Sequence, residues 1–117
     1  MGRLTTHVLD TSRGAPGAGI RIELYRVEGG DRQRLAGAET NADGRTPDAL
    51  LEGEAFTPGI YELWFHAGAY FEAGGVSLPS PKFLDVVVIR FGIAAAGEHY
   101  HVPLLLTPWS YATYRGS

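Results

Sequence analysis

At 117 residues the chain has room for a single domain, residues 1–117, built around one hydrophobic core. It has no cysteine, which excludes a disulfide framework, a thiolate nucleophile and a thiolate zinc site, and leaves its redox compartment open. Ten basic against thirteen acidic side chains give a formal charge of −3, and the basic residues are scattered rather than clustered, so nucleic acid is not an expected partner.

The opening Met1-Gly2-Arg3-Leu4-Thr5-Thr6-His7 lacks the apolar run of a secretory leader, and no stretch is long enough to span a bilayer; the expectation is a soluble, cytoplasmic protein with no membrane partner. Residues 4–10 read as the first strand, and alternation puts Thr5, His7 and Leu9 on one of its faces. Gly14-Ala15-Pro16-Gly17-Ala18-Gly19 superficially suggests a phosphate loop, but no lysine follows and the next element is a strand, so it reads as an ordinary loop. Ile20, Ile22 and Leu24 alternate with Arg21 and Glu23, which predicts a strand over 20–27 with one solvated face. The turn signal Glu28-Gly29-Gly30-Asp31 then leads into a hairpin partner over 33–40. Asn41-Ala42-Asp43-Gly44 is a strong turn, because Asn, Asp and Gly tolerate positive φ and bond their own backbone; it sets Arg45 at its exit.

A short strand is expected near 49–51. After Pro58-Gly59, the aromatic and β-branched run Ile60-Tyr61-Glu62-Leu63-Trp64-Phe65-His66 predicts another strand. Residues 67–75 form the helix candidate, two turns closed by glycine. Pro79-Ser80-Pro81 breaks the chain, and Val86-Val87-Val88-Ile89 follows as a strand apolar on both faces, expected inside a sheet or beneath a neighbouring subunit. Residues 100–106, a turn at Pro108-Trp109 and residues 110–115 complete a C-terminal hairpin. Sixteen glycines and seven prolines beside 44% hydrophobic residues fit such a chain of short strands. The pattern is all-β, a two-sheet sandwich of about eight strands with one short helix.

Taken one by one, the polar residues have ordinary readings. A histidine in a strand is usually satisfied in the core or exposed, an arginine after an Asp-Gly turn is usually solvated, and a terminal tetrapeptide usually frays. His99 and His101, two apart, would share a strand face and raise a zinc pair with His7 as third ligand. That reading lacks a carboxylate or thiolate at ligand spacing, so no metal is expected. There is no Gly-x-Ser-x-Gly elbow to support a covalent serine mechanism.

Four segments carry a specific resemblance: Leu4-Thr5-Thr6-His7-Val8-Leu9-Asp10, Asn41-Ala42-Asp43-Gly44-Arg45, His99-Tyr100-His101-Val102-Pro103-Leu104-Leu105-Leu106 and the terminal Tyr114-Arg115-Gly116-Ser117. Over the whole chain, in order and spacing, they resemble the 5-hydroxyisourate hydrolase family of transthyretin-related proteins, and the terminal tetrapeptide is what separates those enzymes from the hormone carrier transthyretin. Thr107-Pro108-Trp109-Ser110 and Leu84-Asp85 depart from the family's habit, at a turn and a strand entry.

The resemblance implies a transthyretin-like sandwich assembled as a homotetramer, a dimer of dimers, whose central channel holds the sites. The doubly apolar strand at 86–89 and Leu104-Leu105-Leu106 are the expected sources of interface. It also implies hydrolysis of 5-hydroxyisourate to 2-oxo-4-hydroxy-4-carboxy-5-ureidoimidazoline in urate degradation, without cofactor. The implied catalytic residues are His7, Arg45 and His101; His7, Arg45, Tyr114 and Ser117 are the implied substrate contacts, with Gly116 permitting the turn that brings the tail inward. His7 and His101 would handle the protons of water and leaving nitrogen, and Arg45 the oxyanion. Ser117 is a hydrogen-bonding neighbour, His99 has a lesser role and His66 is structural or exposed. The alternative is a transthyretin-like carrier that binds a small molecule in the same channel without catalysis.

Overall fold

The computed structural model describes residues 2–116. In chain order it contains β1 (Arg3–Asp10), β2 (Ala15–Pro16), β3 (Arg21–Glu28), β4 (Asp31–Glu39), β5 (Leu51–Glu52), a 3-10 turn (Gly53–Ala55), β6 (Gly59–His66), the helix α1 (Ala67–Ala73), β7 (Val86–Ile93), β8 (Tyr100–Leu106) and β9 (Tyr111–Thr113). One sheet runs β2-β1-β8-β9, with β5 also pairing β1; the other runs β4-β3-β6-β7. The expected two-sheet β-sandwich with one short helix is the fold of this chain.

Alternation builds the core between the sheets. In β1, Leu4 and Val8 are fully buried while Thr5, His7 and Leu9 are only partly covered. β3 contributes Ile22 and Leu24, β6 contributes Tyr61, Leu63 and Phe65, and β8 contributes Leu104 and Leu106, all at 0% exposure. Each such side chain stabilises the fold by about 1.5–3 kcal/mol relative to leaving it in water. Buried polar groups are paired: the Thr6 hydroxyl donates to the Val102 carbonyl at 2.6 Å, and the Tyr70 hydroxyl of α1 donates to Asp10 at 2.8 Å. That second bond ties the helix to the end of β1.

Turn chemistry acts where the residues indicate. Glu28 pairs with Asp31 across Gly29-Gly30, with Gly29 at φ +60. At the end of α1, Gly75 adopts φ +87, its N–H bonds the Glu72 carbonyl and the Val76 N–H bonds the Phe71 carbonyl, both at 3.0 Å. This is the Schellman closure that a glycine after a helix makes available.

Several expectations are corrected. The strand at 86–89 extends to Ile93 and forms the edge of its sheet, which overturns the expected place inside a sheet and leaves the other expected place, beneath a neighbouring subunit, open. Val87, Ile89 and Ile93 face the core while Val88 is 40% exposed, so only one face is buried within the chain. A run of valines favours extended backbone on either face and carries no polar marker of which side is wet. Leu104 and Leu106 point into the core, which leaves Leu105 as the outward leucine of that trio. The 14–19 loop contains the two-residue β2, paired with Leu9 and Asp10, and the last strand is shortened to Tyr111–Thr113.

Candidate active site

The site begins with a register. β1 and β8 run parallel, with Thr5 beside His101 and His7 beside Pro103. Paired residues in neighbouring strands project to the same side, so Thr5, His7 and His101 share the outer face of the first sheet, opposite the core. Because Leu4, Val8, Leu104 and Leu106 must be buried, this face cannot be exchanged with the other without exposing the core.

The turn at 41–44 delivers Arg45 to the same place. The Asn41 side-chain oxygen accepts the N–H of Asp43 at 2.9 Å and that of Arg45 at 3.2 Å. Gly44 adopts φ +76, and a Cβ there would collide with the Val8 carbonyl oxygen. Arg45 then forms an antiparallel bridge with His7. The His7 ring is held from the same turn, its Nε2 lying 2.8 Å from the Asp43 carbonyl oxygen. A carbonyl oxygen only accepts, so Nε2 donates and the neutral ring carries its lone pair on Nδ1.

His101 is anchored differently. Its Nδ1 lies 2.8 Å from the Thr5 hydroxyl, leaving Nε2 free. Burial, then electrostatic repulsion from Arg45 and from the His7 ring, hold its pKa below the usual 6.5, so the neutral imidazole is favoured. Gly116 bridges to His101, donating its N–H to the His101 carbonyl at 2.7 Å, and a Cβ on Gly116 would meet the ring Cδ2 at 2.7 Å. Glycine is needed here for close approach to an imidazole; its φ is not positive, so the expected conformational reason is replaced by a steric one.

Arg3, Thr5, Arg45, Thr46, Asp48, Glu52 and His101 are among the residues that line a depression of about 520 Å³. Of these, Asp48, Glu52 and Arg3 carry no recognisable motif. Thr5 was legible as a neighbour of His7, but its bond to His101 spans 96 positions and needs the strand register. Among the described residues the Arg45 guanidinium has no carboxylate within ion-pair distance.

The tail divides. Gly116 lies against His101, whereas Tyr114 is 61% exposed and borders a separate pocket of about 230 Å³ with Ile89, Phe91 and Val102. The Arg115 guanidinium stacks 4.0 Å over the Tyr100 ring and donates to Glu98 at 2.9 Å and to the His99 carbonyl at 3.0 Å. Since Tyr100 faces the core, Arg115 is on the far side of β8 from Arg45. Ser117 lies outside the described residues. His99 is exposed just before β8, and His66 bonds Glu23 at 2.7 Å on the other sheet, in the structural role expected of it. Among the described residues no three His, Asp or Glu groups gather as a metal would require.

Two imidazoles with free ring nitrogens beside a guanidinium can take a proton from water and stabilise an oxyanion on a carbonyl substrate. The sequence model described as the HIUase/Transthyretin family matches residues 4–116. The chain belongs to that family. Within it, a 5-hydroxyisourate hydrolase from Pseudomonas aeruginosa is 62% identical over 117 residues, covering 100% of this chain and 93% of the relative. Among solved structures, (S)-allantoin synthase superposes with a TM-score of 0.93 at 44% identity; the alignment covers 99% of this chain but only 44% of that longer one. Sea bream transthyretin in complex with thyroxine superposes with a TM-score of 0.87 at 28% identity, covering 97% and 94% of the two chains.

Proposed function

We propose that this chain hydrolyses 5-hydroxyisourate to 2-oxo-4-hydroxy-4-carboxy-5-ureidoimidazoline, a step of urate degradation. What carries the reading is an outward sheet face on which His7, Arg45 and His101 converge, in a chain 62% identical along its full length to a protein named for that reaction. In this reading residues 1–117 act as one hydrolase domain and need no metal or cofactor. The free imidazole nitrogens of His7 and His101 position and deprotonate water; His101, favoured in its neutral form, is suited to receive a proton at neutral pH. Water attacks the ring carbonyl, and the Arg45 guanidinium stabilises the oxyanion before the C–N bond breaks and the ring nitrogen is protonated.

The reading extends to assembly. The enzyme works as a homotetramer, a dimer of dimers, in the cytoplasm, with Ser117 completing the substrate pocket, whereas Tyr114 borders the separate pocket beside Ile89 and Phe91 within one chain. Support for association comes from the edge strands β7 and β9 and from outward Val88, Trp109 and Tyr111, at 40%, 57% and 46% exposure.

The carrier alternative has the transthyretin likeness behind it, yet a carrier of an apolar hormone favours apolar walls, and the depression on this face presents the His101 imidazole, the guanidiniums of Arg3 and Arg45 and the carboxylates of Asp48 and Glu52. The test is the ultraviolet absorbance of freshly generated 5-hydroxyisourate. Catalytic amounts of protein should accelerate its decay many-fold; binding without accelerated decay would return the chain to the carrier class.

A further inference from the structure

The turn at 41–44 touches both halves of the site through a residue with no place in the chemistry. Asn41 is exposed, and its side-chain oxygen gathers the N–H groups of Asp43 and Arg45 at 2.9 and 3.2 Å. Its own N–H donates to the Arg45 carbonyl at 2.8 Å, its carbonyl accepts the Gly44 N–H at 2.9 Å, and the Gly44 carbonyl accepts the Val8 N–H at 2.8 Å. The turn is thereby closed on itself and fastened to β1 one residue beyond His7. The Asp43 carbonyl oxygen, freed from any role within the turn, is turned onto His7 Nε2 at 2.8 Å.

We infer that Asn41 is a positioning residue: by closing the 41–44 turn it sets the ring tautomer of His7, through the Asp43 carbonyl, and the station of Arg45 opposite His7, in one device. The inference rests on His7 and Arg45 being the working residues proposed above. Its chemistry is specific. A neutral imidazole chooses between two tautomers of similar energy, and a fixed acceptor at Nε2 leaves Nδ1 as the basic nitrogen. Because the turn is exposed, water replaces the bonds Asn41 makes when they are lost, so the fold persists while carbonyl and guanidinium are released from their places.

The test uses full-length protein labelled with 15N-histidine, the His7 signals being assigned with His7→Gln. In the wild type the ring should be the Nε2–H tautomer; an Nδ1–H ring overturns the inference whatever the activity. Asn41→Ala should shift the His7 15N signals toward a tautomer mixture and lower kcat by about tenfold while KM changes less. Asn41→Asp, which keeps an acceptor oxygen, should restore the tautomer and most of the turnover. A fall in kcat with His7 signals unmoved, or a moved tautomer that Asn41→Asp does not restore, would reduce Asn41 to an ordinary loop residue. Should Asn41→Ala fail to fold, Asn41→Leu is the second probe; if both unfold, Asn41 is a folding residue and the inference falls. A wild type that does not hydrolyse 5-hydroxyisourate would refute the proposed function, and the tautomer measurements would still report on the turn.

Discussion

On the outer face of the second sheet, Glu62 is 2% exposed and accepts hydrogen bonds from Arg32 at 2.7 Å, Arg90 at 3.0 Å and Trp64 at 3.0 Å. On the outer face of the first, Arg45, His7 and His101 stand together with no carboxylate among their hydrogen-bond partners. Nearby on the second sheet, Glu23 holds both Arg34 and His66. Both carboxylates are pulled down to a pKa of about 2, Glu62 first by its bond to Arg32 and Glu23 first by its bond to His66. His101 is instead pushed down by burial and by neighbouring positive charge. The same residue types therefore serve opposite ends. Paired with carboxylates they close a sheet face; left unpaired they make a site that an anionic oxygen would complete.

The sharpest way to break this contrast is Arg45→Lys. A lysine keeps the charge but loses the planar fork, and losing an oxyanion donor costs about a hundredfold to a thousandfold in turnover. Folding stability should shift by only about 0.5 kcal/mol at an exposed turn, as thermal unfolding would register. Turnover within a fewfold of wild type would make Arg45 a solvated loop residue.

Next in size is Gly116→Ala. Its new methyl group would press on the His101 ring, so turnover should fall by roughly tenfold with the sandwich intact, since a displaced catalytic group loses rate before the fold loses stability. A fully active variant would uncouple the tail from His101.

On the paired face, Glu62→Gln should leave turnover unchanged and cost about 1–2 kcal/mol of stability, moderated by the exposure of Arg32 and Arg90. Because the folded pKa of Glu62 is lowered from 4.5 to about 2, its stabilisation is complete above 4.5 and disappears as pH falls toward 2. Denaturant midpoints of wild type and variant should accordingly converge in strong acid; a constant gap would mean that the carboxylate charge is irrelevant.

The smallest effect concerns His101. With its pKa lowered, its neutral form persists below pH 6.5, and the acid limb of kcat/KM should lie there. Arg45→Ala removes one of the repelling charges, so the His101 midpoint, followed by NMR, should rise yet stay below 6.5 because burial is the larger cause. A midpoint that falls would reverse the sign of the coupling.

Much of this was legible in the residues. The 41–44 turn announced itself through Asn, Asp and Gly, alternation identified Thr5 and His7 as sharing a face, and the resemblance to the hydrolase family selected His7, Arg45 and His101 from residues whose ordinary readings are unremarkable. The errors fell where local pattern is silent. Four consecutive apolar residues at 86–89 could not declare that β7 is an edge strand with Val88 outward. Nor could the terminal tetrapeptide declare that Arg115 stacks on Tyr100, on the other side of β8 from Arg45.

By itself the sequence determined the class of fold, the places of its turns and the residue types available for chemistry, since propensity, alternation and turn preference act over a few neighbouring residues. Only the tertiary structure decided that Thr5 meets His101, that Asp43 turns its carbonyl onto His7, and that Gly116 must be small to lie against an imidazole. These depend on which strands pair and in what register, and that is set by burying one face of every strand at once, a condition that no single segment contains.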